Sequence, residues 1–335
     1  MKPNQTLLLL FALFTTAWLA MAGCQEAAQI EAPVAADDAL TVKSRTFRFV
    51  YGATLTELEP DSAVRVWLPM ATSNHDQEVD LESITVPGEF QKTKDAKFGN
   101  DTIYFEAKAN AEGEVPLKVT YRVTRRELTE RNREAVAETE VWLQPSSKVP
   151  NDEQLRKAVI KDADTEGVPL DVAKQLYLGV GEKMKYDKPA DNPGWGQGDA
   201  KFACESCFGN CTDFHSLFMS AALNLEIPCR FEIGFPIPEA KGQGEVGGYH
   251  CWAKFQSEGT WVPVDISEAD KHPELRDYYF GNLTENRITF SIGRDLKLQP
   301  APAAESVNYL AYPYAEVDGK PHKKFRKEFS YEDVE

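Results

Sequence analysis

Gly209-Asn210-Cys211-Thr212-Asp213-Phe214-His215 is the stretch on which the reading of this chain turns. After Cys211, the apolar residues Phe214, Leu217, Phe218, Ala221, Ala222 and Leu225 recur at the spacing of one helix face. Gly209 and Asn210 before it are a turn residue and a helix-start residue. The spacing predicts a buried amphipathic helix with Cys211 in its first turn. Free N–H groups and the positive end of the helix dipole favour a thiolate there.

Downstream, Tyr249 to Phe255 and Thr260 to Ile266 alternate and are rich in aromatics. Gln256-Ser257-Glu258-Gly259 between them is a turn signal. A hairpin centred between Ser257 and Glu258 sets His250 directly opposite Asp265, with Cβ atoms roughly 5 Å apart. A slip of one residue would send the two side chains to opposite faces. Cys211, His250 and Asp265 then supply a nucleophile, a base and a group that orients the base.

Other readings compete. Free cysteine is commonly buried as a small hydrophobe, and Asp265 could merely end a strand. His215 is a rival base on the same helix side as Cys211, but one turn along it lies under the thiol rather than beside it. Cys204, Cys207, Cys211 and His215 spell C-x2-C-x3-C-x3-H, a plausible spacing of soft metal ligands. Two of the four belong to the predicted helix and no second knuckle follows, so neither metal nor cofactor is expected. Trp252 and Trp261 are expected in the core.

At these residues the chain resembles the transglutaminase-like superfamily of the papain-like cysteine enzymes. The matching pieces are Gly209 to Asp213 at a helix start, Ile227-Pro228-Cys229-Arg230 entering a strand, His250 with Trp252, and Trp261 ahead of Asp265. The resemblance spans roughly Trp195 to Pro313. It implies an α+β fold with a papain-like transglutaminase core, a nucleophile helix packed on an antiparallel sheet. It also implies an acyl-thioester enzyme with Cys211 as nucleophile, His250 as base and Asp265 as orienter, acting on protein or peptide amides. The backbone N–H of Cys211 is the natural oxyanion donor. The superfamily often adds an upstream aromatic residue, and Tyr186 and Trp195 are the candidates. Two other classes stay open: an inactive module that binds peptides or cell-wall material, and a metal-binding structural protein.

Residues 1–23 read as a bacterial lipoprotein signal, with Lys2, an apolar run from Leu7 to Ala22, and Met21-Ala22-Gly23 ahead of Cys24. Lipid on Cys24 would anchor the chain to a membrane of the cell envelope. With Gln25 next, the pattern resembles outer-membrane sorting in a Gram-negative envelope. Residues 24–40, rich in Ala, Glu, Asp and Pro, are expected as a flexible tether. The formal charge of −16 argues against a nucleic-acid partner. With Cys24 lipidated and Cys211 free, Cys204, Cys207, Cys229 and Cys251 remain, and the sequence does not choose between pairing and free thiols.

Residues 41–147 are strand-like, with runs at Thr46–Tyr51, Ala63–Leu68, Thr102–Ala107, Pro116–Val123 and Glu138–Leu143. They predict an all-β, immunoglobulin-like sandwich ahead of the core. Residues 148–315 are expected as the catalytic domain, opening on two helical faces, Leu155-Val159-Ile160 and Val172-Leu176-Tyr177-Val180. Lys241 to Gly248, with its four glycines, is expected as a mobile active-site loop. Residues 316–335, with Lys323, Lys324, Arg326 and Lys327 around Phe325, are expected as a solvated tail.

Overall fold

Alternation of apolar and polar residues builds strands first: β1 (Ser44–Leu55), β2 (Ala63–Pro69), β3 (Gln77–Thr85), β4 (Phe90–Lys94), β5 (Asp101–Lys108) and β6 (Val115–Arg126). Helical spacing then gives α1 (Glu153–Val159) and α2 (Pro169–Lys183), followed by the short β7 (Lys185–Tyr186). Next come α3 (Ala200–Ser206), β8 (Phe208–Gly209) and α4 (Cys211–Asn224). The strands β9 (Cys229–Pro236), β10 (Gln243–Glu245), β11 (His250–Ser257) and β12 (Thr260–Val264) lead into α5 (Ile266–Lys271). The last strands are β13 (Arg287–Ile292), β14 (Tyr314–Val317), β15 (Lys320–His322) and β16 (Phe325–Asp333). The structure is a computed structural model that describes residues 42–189 and 192–334. The expected signal peptide, Cys24 and the tether lie outside the described residues.

Two five-stranded sheets, β10-β16-β1-β6-β3 and β15-β14-β2-β5-β4, enclose one core. Phe47, Phe49 and Tyr51 from the first sheet meet Val64, Val66 and Leu68 from the second. Strands β14, β15 and β16 correct the expectation of a tail at 316–335. β16 pairs antiparallel with β1 from Phe47–Asp333 to Leu55–Phe325. Its alternate residues Phe329 and Tyr331 are buried, while Arg326, Lys327 and Glu328 before them and Glu332 after them face solvent. That charge density hides the period of two. Within the Lys241–Gly248 segment, Gln243–Glu245 forms β10 and pairs with β16.

Glu138–Leu143 is a further correction, since its centre is a 3₁₀ turn over Glu140–Leu143 and not a strand. Val141, Trp142 and Leu143 run without alternation, and the Trp142 ring stacks on Phe98 at 5.1 Å and meets Trp261 edge-on at 5.8 Å. The unanticipated β3 and β4 are sheet edges with mostly exposed, polar sequences.

A four-stranded antiparallel sheet, β12-β11-β9-β13, carries the second core. Phe214, Leu217, Phe218, Ala221 and Ala222 of α4 pack on Phe231, Ile233, Ala253 and Phe255 of the sheet, as the helical spacing requires. The helix is not half exposed as an amphipathic pattern suggests: every residue from Cys211 to Leu223 is buried. Its polar side is satisfied by side-chain bonds, Arg294 Nη1 donating to Ser216 Oγ at 2.7 Å and Ser220 Oγ donating to the Pro150 carbonyl at 2.5 Å.

The sandwich and the four-stranded sheet are joined through buried groups, and residues from Val42 onward form one compact unit. Phe235, Ile288 and Phe290 extend from β9 and β13 into the sandwich core. Gln77 exchanges bonds with the Thr289 backbone, 2.9 Å to its carbonyl and 2.8 Å from its N–H. Lys254 of β11, almost fully buried, pairs with Asp76 and lies 3.2 Å from Glu232. Burial alone would raise the Asp76 carboxyl, but Lys254 and Arg125 hold it well below the usual carboxylate range.

Candidate active site

Asn210 caps α4, its side-chain oxygen accepting the Thr212 N–H at 2.9 Å, and Asp213 returns a bond by accepting the Asn210 N–H at 3.0 Å. This reciprocal box fixes the first turn, where Cys211 sits only 2% exposed. The Asp213 carboxylate also accepts from the Gly196 and Gly198 N–H groups, both at 2.8 Å, which straps that loop to the helix start. Burial pushes Asp213 up to about 6 against those backbone bonds. A Cβ at Gly209 would stand 2.4 Å from the Asp213 Cβ, so only glycine fits beside the box.

His250 begins β11 opposite Gly234 of β9. The β11–β12 hairpin turns at Glu258-Gly259, where both residues have positive φ, and Ser257 pairs with Thr260. This two-residue turn matches the twist of the flanking strands. Its centre lies one residue beyond the expected one, so the register is two residues off and His250 does not pair with Asp265. The side chains meet nonetheless. Asp265 ends the strand and caps α5, its Oδ1 accepting the Glu268 N–H at 3.2 Å. His250 Nε2 donates to its Oδ2 at 2.7 Å, and the Arg287 Nη1 donates to the same oxygen at 3.2 Å. Both His250 and Asp265 are buried.

With Nε2 bonded to the carboxylate, Nδ1 of His250 is left for Cys211, and each of the two side chains shifts the titration of the other. Burial would lower His250, but the charge and hydrogen bond of Asp265, reinforced by Cys211, raise it to about 10. Burial would likewise raise Cys211, but hydrogen bonds from Cys251 and His250 and the His250 charge bring it well below the usual thiol range. Asp265 is held far below the usual carboxylate range: burial opposes this, and His250, Arg287 and His215 outweigh it. The favoured state is a thiolate beside an imidazolium that leans on a carboxylate.

The rival His215 lies one helical turn beyond Cys211, fully buried. Its Nδ1 donates to the Cys211 carbonyl at 2.7 Å, and its Nε2 accepts the Ile266 N–H at 3.1 Å. With both nitrogens bonded to backbone, it has no lone pair for the thiol proton or for a metal. Cys207, in the same candidate metal set, is exposed at the end of α3. Cys204, Cys207, Cys211, Cys229 and Cys251 are all free thiols.

Of the two oxyanion candidates, β7 pairs in parallel with β8 and sets Tyr186 beside Gly209, two residues before Cys211. Burial and then the Cys211 charge raise its phenol to about 12, so it remains a donor at neutral pH. The Trp195 N–H is already committed to the Asp187 carbonyl at 2.7 Å. Arg287 and Cys251 escaped the sequence reading. No local motif marks either, because each acts only through contacts made by folding.

Residues 153–266 match the family model described as the transglutaminase-like superfamily. This segment is a transglutaminase-like domain. It spans α1 to the start of α5 and contains Cys211, His250 and Asp265. The chain is 29% identical over 225 residues to an uncharacterised protein of Haemophilus influenzae, a match covering 58% of this chain and 61% of that one. It thus spans about three fifths of the length of the curated relative it matches. A solved structure of a candidate cysteine protease from Cytophaga hutchinsonii is similar at 14% identity and a TM-score of 0.55, over 88% of this chain and 93% of that one. That likeness is one of fold and extends well beyond the transglutaminase-like domain.

Proposed function

We propose that the protein is a thiol-dependent acyl-transfer or amide-hydrolysing enzyme acting on protein or peptide amides in the cell envelope. The observation that carries this reading is the 2.7 Å bond from His250 to buried Asp265, with the opposite side of the same imidazole on Cys211 at a helix start. Cys211 attacks the amide carbonyl and forms a tetrahedral oxyanion. The Cys211 N–H, first in its helix and without an intrahelical acceptor, and the Tyr186 hydroxyl face that charge. His250 gives its proton to the leaving amine as the C–N bond breaks. The acyl thioester then passes to water or to an amine, whose proton returns to His250.

A cleft of about 470 Å³ opens on His250 and is lined by Val246, Gly247, Glu268, His272, Leu275 and Tyr279 among others. The departing or accepting amine must come within reach of His250, and this cleft is the open space beside it. Membrane attachment through lipid on Cys24 belongs to the same proposal and rests on the signal pattern. Mass spectrometry of the mature N-terminus tests it, and an unmodified terminus overturns it.

The test of activity is ammonia release from glutamine peptides by purified protein, with and without an added primary amine. Release that Cys211→Ala abolishes in a folded protein supports the reading, and incorporation of the amine assigns transfer over hydrolysis. Activity retained by Cys211→Ala overturns it. A slow, ordinary thiol reactivity at Cys211 with no turnover would instead favour a binding module.

A further inference from the structure

His215 joins two parts of the site that come from distant stretches of chain. Its Nδ1 holds the carbonyl of Cys211, and its Nε2 holds the N–H of Ile266, the residue directly after Asp265. The ring is completely buried between α4 and the start of α5. A carbonyl only accepts and a backbone N–H only donates, so the tautomer is fixed: the proton is on Nδ1 and Nε2 is bare. Protonating Nε2 would set two donors face to face. The bridge therefore works only as neutral imidazole, and His215 carries no proton in the reaction.

We infer that His215 is a positioning residue, a rigid bridge that fixes the distance between the nucleophile on α4 and the carboxylate that orients His250. The inference rests on the proposed role of Cys211. Asp265 has a demanding place. Its Oδ2 receives His250 and Arg287, and its Oδ1 receives the Ser267 hydroxyl and the Glu268 N–H, each at 3.2 Å. All of these depend on where the first turn of α5 sits. The Ile266 N–H is one of the donors a helix start leaves without an intrahelical acceptor, and His215 supplies the acceptor. Loss of that anchor frees the turn to shift, Asp265 with it, and the His250–Cys211 pair then loses its charge support.

The titratable groups around the ring are Cys211 and Cys251, whose sulfur is 3.7 Å from Nδ1, Asp265, whose Oδ1 is 4.0 Å from Nε2, and His250. Burial lowers His215 and Asp265 raises it less, which keeps the ring neutral as the bridge requires.

The experiment reads Cys211 itself. Wild type and the variants His215→Ala, His215→Asn and His215→Gln are alkylated with iodoacetamide across pH, and the Cys211 peptide is followed by mass spectrometry. An asparagine amide N–H lies near the place of Nδ1, and a glutamine amide oxygen near that of Nε2. Each variant thus keeps one arm of the bridge. In wild type, Cys211 is expected to titrate well below an ordinary thiol. In His215→Ala and His215→Asn it moves up toward the ordinary value, while His215→Gln, which keeps the Ile266 arm, stays near wild type. Turnover of the glutamine peptide falls about a hundredfold in kcat for Ala and Asn, with KM little changed, the scale of a reacting group misplaced by about 1 Å. Folded Ala and Asn variants with the wild-type profile overturn the inference and leave the role of Cys211 intact. Loss of fold in all three variants assigns His215 to the core alone and also overturns it. A wild-type Cys211 that titrates as a free thiol defeats the proposed function instead.

Discussion

His250 and Asp265 share a 2.7 Å hydrogen bond although neither is the other's partner in the β11–β12 ladder. The bond crosses from the first residue of one strand to the helix cap that follows the next. Asp265 therefore both accepts from His250 and starts α5, and substitutions at this position can separate the two.

Asp265→Asn keeps a good cap, because asparagine also accepts a backbone N–H at a helix start. It loses the charge that supports the His250 imidazolium. Turnover is expected to fall by orders of magnitude, and the melting temperature falls too, because buried Arg287 loses its carboxylate partner. Asp265→Ala should lose the same activity and, relative to Asp265→Asn, about 1 kcal/mol more stability with the cap. Steady-state kinetics and thermal melts of the two variants check this split.

The pH dependence follows from the opposed shifts of the pair. Cys211 is lowered, so thiolate forms as pH rises through a value well below the ordinary thiol range. His250 is raised to about 10, so its proton is kept for the leaving amine until pH passes that value. The profile of kcat/KM is expected to rise at acidic pH, hold through neutrality and fall near 10. In Asp265→Asn the alkaline limb should move down toward the ordinary imidazole value. A wild-type alkaline limb already near 6.5, the usual histidine value, would show that Asp265 gives no such support.

Tyr186→Phe removes the hydroxyl of a residue that the β7–β8 pairing sets opposite Gly209, two positions before Cys211. Loss of one oxyanion donor costs about 10²–10³ in kcat in well-studied hydrolases, and a fall approaching that scale with KM unchanged is expected here. Trp195→Phe should leave kcat close to wild type, because its N–H already serves the Asp187 carbonyl. Equal effects of the two substitutions would remove the assignment.

Lys254→Met leaves Asp76 and Glu232 buried with one fewer cation at the junction of sandwich and catalytic sheet. Breaking a buried pair on one side typically costs about 3–5 kcal/mol. The expected result is a lower but still single unfolding transition, since Phe235, Ile288 and Phe290 keep the two parts in one core. Calorimetry that resolves two separate transitions in the wild type would contradict this coupling.

The site was legible in the sequence to the extent that its signals are local. Asn210, Asp213 and the apolar positions of α4 lie within one helix, and their spacing alone puts Cys211 in its first turn. His250 and Asp265 were assigned to one face even though the turn was misplaced by one residue. A turn shifted by one changes the register by two, and strand faces repeat every two residues, so the error left the face unchanged. β16 was missed for the opposite reason: its inward residues are separated by lysines, arginines and glutamates, and only the partner strand β1 shows that one face is buried.

The sequence by itself determined the helix that opens on Cys211, its capped start, the antiparallel strands behind it and the order of thiol, imidazole and carboxylate. Each depends on neighbours within a few residues. The tertiary structure alone decided that both nitrogens of His215 are taken by the backbone of Cys211 and Ile266, that Arg287 and Cys251 act on Asp265 and Cys211, and that the C-terminal strands complete the sandwich. Those outcomes depend on which donor meets which acceptor across tens to hundreds of residues. No local period or motif encodes that pairing. It is fixed only when burial makes an unpaired polar group costly and so favours these pairings.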